Sequence, residues 1–379
     1  MTCRIQEDVV RYHLMKGMPL PRFSTVQLRR LGVDIFERSG ASREYAELVV
    51  DILIDANLAG HDSHGILYLT RYAERIKKGI IDPDAKPEVT RENATTALID
   101  GHWAFGQVTA KKSIELAIEK ARKNSISAVG AFHCNHIGRL ASYTLMAAEN
   151  DMIGIMMVNS VNPAVQPYGG VSRFLGTNPL SVAIPAGEKK PFLLDFATSS
   201  VAEGKLWLAA MNDEKVPLGW IVNDEGCDTD NPHDFSVSTP AVEGDGRLLS
   251  FGARDGHKGY CLSILVEVLG GILMGAGSIL DRGAVHPNEN GILAIVLDVN
   301  AFTSIQAFKK RMDSLFTTVH EAPTDPRFKY ERVQVPGEIE WRNRETQLKE
   351  GINIPHQVWQ QIVNLAQELG IDLSFIDSK

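Results

Sequence analysis

The chain has 379 residues, 44% of them apolar and 23% charged, the balance of a globular protein long enough to bury one large core or two. Its formal net charge of −8 repels phosphate backbones, so nucleic acid is excluded as an expected partner, and an anionic substrate would need cations gathered in a cleft. Apolar runs such as Ile153 to Val158 and Ile292 to Leu297 are too short to cross a bilayer, and Met1 to Pro21 has no apolar signal-peptide core.

Residues 1–22 read as an accessory arm. Ser24 predicts the cap of a helix to about Arg38, ended by Gly40, and Ser42 predicts the cap of a second through about Leu58. A third helix, from Asp62 or Ser63 through Lys77, would place His64, Tyr68, Arg71 and Tyr72 on one face. Helices at Thr109 to Lys123 and Arg139 to Glu149 then alternate with short apolar strands at Ser127 to Phe132, Ile153 to Val158, Leu180 to Ile184, Phe192 to Phe196 and Ile292 to Val299. That alternation predicts a layered α/β fold. Pro217 to Gly252, rich in Gly, Pro, Asp and Asn, reads as a loop on a cleft rim. Tyr260 to Met274, apolar nearly all round, reads as a buried helix, and Val333 to Lys379 returns to polar, helical sequence. The four cysteines, Cys3, Cys134, Cys227 and Cys261, form no CxxC pair. They fit a reducing, cytoplasmic compartment rather than a disulfide framework.

Several blocks could carry chemistry. His61-Asp62-Ser63-His64-Gly65 sets a titratable face at a helix start, where anions bind well, although Asp62 or Ser63 could simply cap the helix. His133-Cys134-Asn135-His136-Ile137-Gly138-Arg139 follows a strand, and histidine suits proton transfer near neutral pH. A metal reading of His133, Cys134 and His136 is weaker, because no second ligand pair stands at a zinc-like spacing. His133 could also be a satisfied core histidine. Gly176-Thr177-Asn178-Pro179 alone is an ordinary loop. Asp195-Phe196-Ala197-Thr198-Ser199 reads as a strand running into a helix capped by Thr198 or Ser199. Gly252 to Tyr260, with Lys258, could cradle a phosphate at a helix start, yet neither a P-loop nor a GxGxxG fingerprint occurs.

Taken together and in order, Ala56-Asn57-Leu58-Ala59-Gly60-His61-Asp62-Ser63-His64-Gly65, Asn135-His136-Ile137-Gly138, Gly176-Thr177-Asn178-Pro179, Asp195-Phe196-Ala197-Thr198-Ser199, Lys258-Gly259-Tyr260 and Pro336-Gly337-Glu338 resemble the malate/L-lactate dehydrogenase family, which is unrelated to the Rossmann lactate dehydrogenases. The resemblance spans roughly Ser24 to Arg344 and is nearest the hydroxycarboxylate dehydrogenase B branch. It implies a non-Rossmann NAD(P)-binding α/β fold with a layered mixed sheet, flanking helices and a helical N- and C-terminal region. It also implies a homodimer, NAD or NADP as cofactor, and a small carboxylate substrate. By the same resemblance His136 is the acid/base group, with Ser63, His64 and Tyr72 on the substrate side. Ser160, Thr177, Asn178, Leu194, Asp195, Phe196, Lys258, Pro336, Gly337 and Glu338 face the cofactor, and no metal is expected.

Several relatives carry arginine where this chain has Tyr68, so the substrate carboxylate needs another partner, with Arg71 and Arg139 as candidates. Tyr68 would then offer ring surface to a large, apolar acid, and pyruvate would be a poor substrate. The expected division is an arm over 1–22, a helical substrate and dimerisation domain from 23–110 with 310–379, and an NAD(P)-binding domain over 111–309. The expected reaction is hydride transfer between NAD(P) and a 2-hydroxy or 2-oxo acid. The alternatives are a reductase of cyclic imino acids, a metal-dependent lyase and a non-catalytic binding protein.

Overall fold

The computed structural model describes residues 20–235, 246–281, 286, 289–327 and 330–376. Nearly all of the expected arm, and the middle of the expected rim loop, lie outside the described residues.

Strand β1 (Arg22–Phe23) leads into helix α1 (Thr25–Arg38). Ser24 opens that helix with a capping box: its Oγ accepts from Gln27 N at 3.2 Å, and Gln27 Oε1 accepts from Ser24 N at 2.9 Å. Gly40, at φ +101°, takes the left-handed turn that ends it. Ser42 caps α2 (Arg43–Leu58) through Tyr45 N. The third helix departs from expectation, splitting into a 3-10 turn at Asp62–His64 and helix α3 (Tyr68–Lys77). Asn57 is the physical reason. Its Oδ1 accepts from Ile66 N at 2.8 Å, its Nδ2 donates to Asp62 at 2.6 Å, and its amide fills the space a side chain at Gly65 would need.

The central run is β2 (Glu88–Glu92), β3 (Thr96–Asp100), α4 (Gly106–Asn124), β4 (Ile126–Cys134), α5 (Ala141–Glu149), β5 (Met152–Val158), β6 (Leu180–Ile184) and β7 (Phe192–Phe196). Helix α6 (Glu203–Met211) follows. The expected rim loop instead contains a small antiparallel sheet of β8 (Ile221–Val222), β9 (Asp228–Thr229) and β10 (Arg247–Leu248), pairs too short to leave a periodic signal. After α7 (His257–Val266) come β11 (Asn290–Asp298), α8 (Ile305–Glu321), α9 (Glu338–Glu350), β12 (Ile352–Asn353) and α10 (His356–Glu368).

The main sheet has seven strands in the order β2-β3-β4-β11-β5-β6-β7. Only β3 and β4 pair in parallel. Strand β11 lies antiparallel between β4 and β5, which makes the sheet mixed. Helices α4 and α5 pack on it around Ile114, Tyr143, Met156 and Val296. A second apolar cluster joins α1, α2 and α3 to α10, with Leu31, Leu53, Leu69 and Ile362 fully buried. The fold is a layered mixed α/β sheet with flanking helices, as expected.

Tyr260 to Met274 does not form the buried helix its composition predicts. Helix α7 continues through a π turn at Glu267–Gly271 and a 3-10 turn at Ile272–Met274. Its inward side is mostly small or polar: Gly259, Ser263, Glu267, Gly270 and Gly271 are buried beside the apolar Val266 and Met274, and the two adjacent glycines approach Asn159 closely. Four other large apolar side chains point out, Leu265, Val268, Ile272 and Leu273, each between 42% and 62% exposed. By length and composition His257–Met274 is the one described helical segment able to cross a membrane.

Candidate active site

The strand register gathers chemistry at one end of the sheet. Strands β4, β5 and β7 finish there, β6 and β11 begin there, and Ile292 pairs with Val158 while Leu180 pairs with Phe196. His136 follows β4, Ser160 follows β5, Thr177 precedes β6, Asp195 and Phe196 close β7, and Asn290 opens β11. Strand ends of this kind leave backbone and side chains free for a ligand.

The turn carrying His136 is tied down from behind. Asn135 is fully buried, and its Nδ2 donates to Trp103 O at 2.8 Å and Ala104 O at 3.1 Å. A side chain at Gly106 would displace the Asn135 and His136 carbonyls. Tyr72 Oη lies 2.7 Å from His136 Nδ1 and receives a hydrogen bond from Gln107 Nε2 at 2.8 Å. The Tyr68 ring stacks on the His136 ring, with centroids 4.6 Å apart and planes 12° apart. On the other side the His64 ring lies 5.7 Å away, and Ser63 Oγ is 3.0 Å from His64 Nδ1. Burial holds the His136 imidazole well below its ordinary value, with its coupling to the His64 ring and the positive charges of Arg75 and Arg71 adding to the effect. Burial likewise brings His64 down to about 3 and raises the Tyr72 phenol. Both imidazoles are therefore neutral near pH 7, and Tyr72 keeps its proton.

His136 and His64 line two adjoining cavities, together with Ser160, Thr177, Ala202 and Asn290. The first, of about 320 Å³, has apolar walls including Ile137, Val158, Phe196, Trp220 and Phe251, with Ser160, Thr177 and Asp195 as polar points. The second, of about 350 Å³, is charged: Arg71, Arg75 and Lys78 face it alongside Glu74 and Glu203. Burial pushes Glu203 up to about 6, against the pull of Arg173 and Arg71.

Residues 23–363 match the malate/L-lactate dehydrogenase family. The chain belongs to that family. It is 38% identical over 347 residues to a malate dehydrogenase of Pyrococcus abyssi, covering 89% of this chain and 92% of the relative. The crystal structure of malate dehydrogenase from Entamoeba histolytica superimposes with a TM-score of 0.88 at 29% identity, covering 94% of this chain and 100% of that one. A Δ1-piperideine-2-carboxylate reductase structure from Pseudomonas syringae pathovar tomato superimposes at 0.77 and 27% identity, covering 91% and 100%. The protein is thus a dehydrogenase of the malate/L-lactate dehydrogenase family.

Within this dehydrogenase the expected site residues fall into groups. His136, Ser63, His64, Ser160, Thr177, Asp195, Phe196 and Arg139 line the first cavity, and Tyr68 and Arg71 the second. Tyr72 is fully buried behind His136. Asp195 Oδ2 accepts from Ala141 N at 2.8 Å, and burial raises its carboxyl. Asn178 shapes the first cavity from behind, its Oδ1 accepting from Ser160 N at 3.0 Å and its Nδ2 donating to Glu267 at 3.0 Å. Leu194 is half-buried within β7 and lines neither cavity.

Thr198 and Ser199 cap no helix: Thr198 Oγ1 donates to Thr177 O and Asn178 O, Ser199 Oγ donates to Val201 O, and α6 starts later, at Glu203. Lys258 stands on the exposed first turn of α7, next to Gly259, which packs on the cavity residue Phe251. Pro336 O accepts from Leu193 N at 3.1 Å, and Gly337 turns at φ +100° against Leu193. Pro336 and Glu338 line a separate surface cavity of about 440 Å³ with Lys190 and Trp341.

Two earlier expectations change. Arg139 is buried and its Nη1 is 3.0 Å from Asp55, so its charge is already met, while its buried Nε has no hydrogen-bond partner. Tyr68 is only 8% exposed and its ring face is spent on His136. His133 bonds Asp100 at 3.1 Å and lies beside Trp103, while Cys134 is buried under Gly106, so neither joins His136. Among the described residues no group of three His, Cys, Asp or Glu could hold a metal ion. Sequence reading missed Gln107, Asn57 and Arg75. Two of these left a signal: Asn57 stands inside the Ala56 to Gly65 block, and Arg75 stands at helical spacing from Tyr68 and Tyr72.

Proposed function

We propose that this dehydrogenase interconverts a small 2-hydroxy carboxylic acid and its 2-oxo acid with NAD or NADP, using His136 to take up and return the proton. The carrying observation is the His136 ring, gripped at Nδ1 by Tyr72 while its remaining edge faces both cavities. When bound, the nicotinamide cofactor supplies the hydride chemistry.

The first cavity suits a flat ring, because apolar walls surround a few hydroxyl and carboxyl groups. A whole dinucleotide exceeds it. Lys258, whose neighbour Gly259 packs on Phe251, and the Pro336-Gly337-Glu338 turn, against β7, are the places where the remainder would lie. The second cavity, with its cations, suits the carboxylate substrate.

The protein's part is proton handling and orientation. In oxidation the neutral His136 accepts the hydroxyl proton at Nε2 and keeps its Nδ1 proton on Tyr72 Oη. Tyr72 Oη also accepts from Gln107 and can donate to His136 O at 3.4 Å, so its bonding capacity is filled. In reduction the imidazolium gives the proton back. Tyr68 covers one face of the ring and excludes water there.

The exposed strip on α7 supports a homodimer as part of this reading. The separate apolar clusters support a helical body and a cofactor-binding sheet body, but with a different boundary from the expected 23–110: residues 88–100 supply β2 and β3 of the main sheet, and Ala97, Ile99 and Ala110 pack in its cluster. The free Cys134, Cys227 and Cys261 fit the cytoplasm. The imino acid reductase neighbour keeps reduction of a cyclic C=N bond as a second reading.

A panel of 2-oxo acids and cyclic imino acids, assayed with NADH and with NADPH, tests the substrate and cofactor. His136→Ala should lose about 10²- to 10⁴-fold in turnover while cofactor affinity holds. Near-normal turnover in that variant would remove His136 from the mechanism.

A further inference from the structure

The second cavity shows three cations to an incoming acid, and they differ in what they already bind. Lys78 Nζ is 2.6 Å from Glu74. The Arg71 guanidinium lies over the Trp207 ring at 4.5 Å and the Tyr68 ring at 5.3 Å. Arg75 is different: its Nη1 is buried and has no hydrogen-bond partner. A buried donor without an acceptor is costly, and a guanidinium edge matches a carboxylate with two parallel hydrogen bonds.

Position agrees with this chemistry. Arg75 follows Tyr72 by one turn of α3 and Tyr68 by two, so the three share a face, and both tyrosines touch His136. Arg75 also acts on His136 electrically, contributing more than Arg71 to keeping its imidazole neutral.

We propose that Arg75 is the residue that pairs with the carboxylate of the substrate and so selects 2-oxo and 2-hydroxy acids over their uncharged analogues. This rests on the second cavity being the substrate compartment. The pairing has a catalytic corollary. A carboxylate on Arg75 cancels the positive charge that disfavours protonated His136, so acid binding readies the ring to take the proton.

The test compares wild type, Arg75→Met, Arg75→Lys and Arg71→Met on the best 2-oxo acid and on its methyl ester, with cofactor affinity and thermal midpoint followed in each. Arg75→Met should raise KM for the acid about tenfold to a hundredfold, the worth of a charged hydrogen-bond pair. KM for the ester and cofactor Kd should stay within about twofold of wild type, and Arg75→Lys should recover part of the loss. Equal loss on acid and ester, an unchanged acid KM, or a larger acid-specific loss in Arg71→Met than in Arg75→Met would each overturn the assignment.

Calorimetric binding of oxalate, a carboxylate probe that needs no turnover, separates this inference from the proposed reaction. A wild type that turns over no 2-oxo acid sinks the reaction. Weakened oxalate binding in Arg75→Met still supports the arginine, and unchanged binding overturns it.

Discussion

Tyr72 Oη sits between two side chains from different layers of the molecule, 2.7 Å from Nδ1 of His136 and 2.8 Å from Nε2 of Gln107. Gln107 comes from the first turn of α4, Tyr72 from α3 and His136 from the turn after β4. These two contacts fix the orientation of a ring whose other edge must meet substrate. Tyr72→Phe keeps the ring packing and removes the hydroxyl, freeing His136 to rotate and leaving Gln107 Nε2 without its partner. A net loss near 1 kcal/mol per hydrogen bond corresponds to roughly fivefold in rate. Steady-state kinetics should show kcat down by about that factor or more, with KM for the cofactor unchanged. An unaltered kcat would mean that packing alone orients His136.

Stability should fall as the solution is acidified below the ordinary histidine range. Burial brings His64 to about 3 and also depresses His136, so in this window the unfolded chain takes up protons that the folded one refuses. The stability is fully present above about pH 6.5 and is lost as pH falls, at up to ~1.4 kcal/mol per pH unit for each histidine. Glu203, pushed up to about 6, works in the opposite sense, because the folded state binds its proton first. The raised carboxyls of Asp62, Asp195 and Glu289 act in the same sense as Glu203, so the part of the slope that belongs to His64 is read as the difference between wild type and a variant lacking that ring. Urea midpoints measured from pH 7 to pH 5 should decline, and His64→Asn should flatten the decline. A decline as steep in His64→Asn as in wild type would show that the His64 ring is hydrated in solution.

Asp55 collects Arg139, Arg344 and Ser142 Oγ at the junction of α2, α5 and α9. The Arg139 side chain is only 4% exposed. Asp55→Ala would leave that guanidinium buried without a counter-charge, which typically costs about 3–5 kcal/mol. The urea midpoint should drop accordingly, while Arg139→Lys should leave KM for the acid near wild type. If Arg139→Lys raises that KM as much as Arg75→Met does, Arg139 shares the substrate.

What the sequence made legible was local. Ser24 and Ser42 cap their helices within three residues, so both helix starts could be read, and apolar runs such as Leu180–Ile184 fell on strands. The helix predicted over Asp62 to Lys77 failed because a side chain on another element, Asn57, interrupts it. His136 was found through its block, but Gln107 acts only through a contact between α4 and α3, which no spacing encodes. Arg139 looked available because its partner Asp55 is distant in sequence. The apolar stretch after Tyr260 was read as interior because composition cannot say whether the neighbour covering a helix belongs to the same chain.

That stretch carries the last prediction. Leu265, Val268, Ile272 and Leu273 are spaced along one side of the segment, and each stays at least 42% exposed. Leu280, 77% exposed, stands a short way along the chain. Apolar side chains grouped in this way mark a surface that expects cover, whereas scattered ones do not. A second copy of the chain would supply a matching strip by two-fold symmetry, because the same patch can face itself. The site has a stake in this contact. Glu267, on the buried side of the same segment, holds Asn178, and Asn178 holds the backbone of Ser160 in the first cavity. Light scattering at micromolar concentration should give twice the chain mass for wild type. Leu273→Glu should shift it toward the monomer, since a carboxylate buried at a symmetric contact meets its own copy across the axis. If the dimer controls the segment, cofactor affinity should fall in the same variant while the thermal midpoint of diluted monomer stays unchanged. A wild type that is monomeric at that concentration would leave the strip to another partner and break the link from α7 to the cofactor cavity.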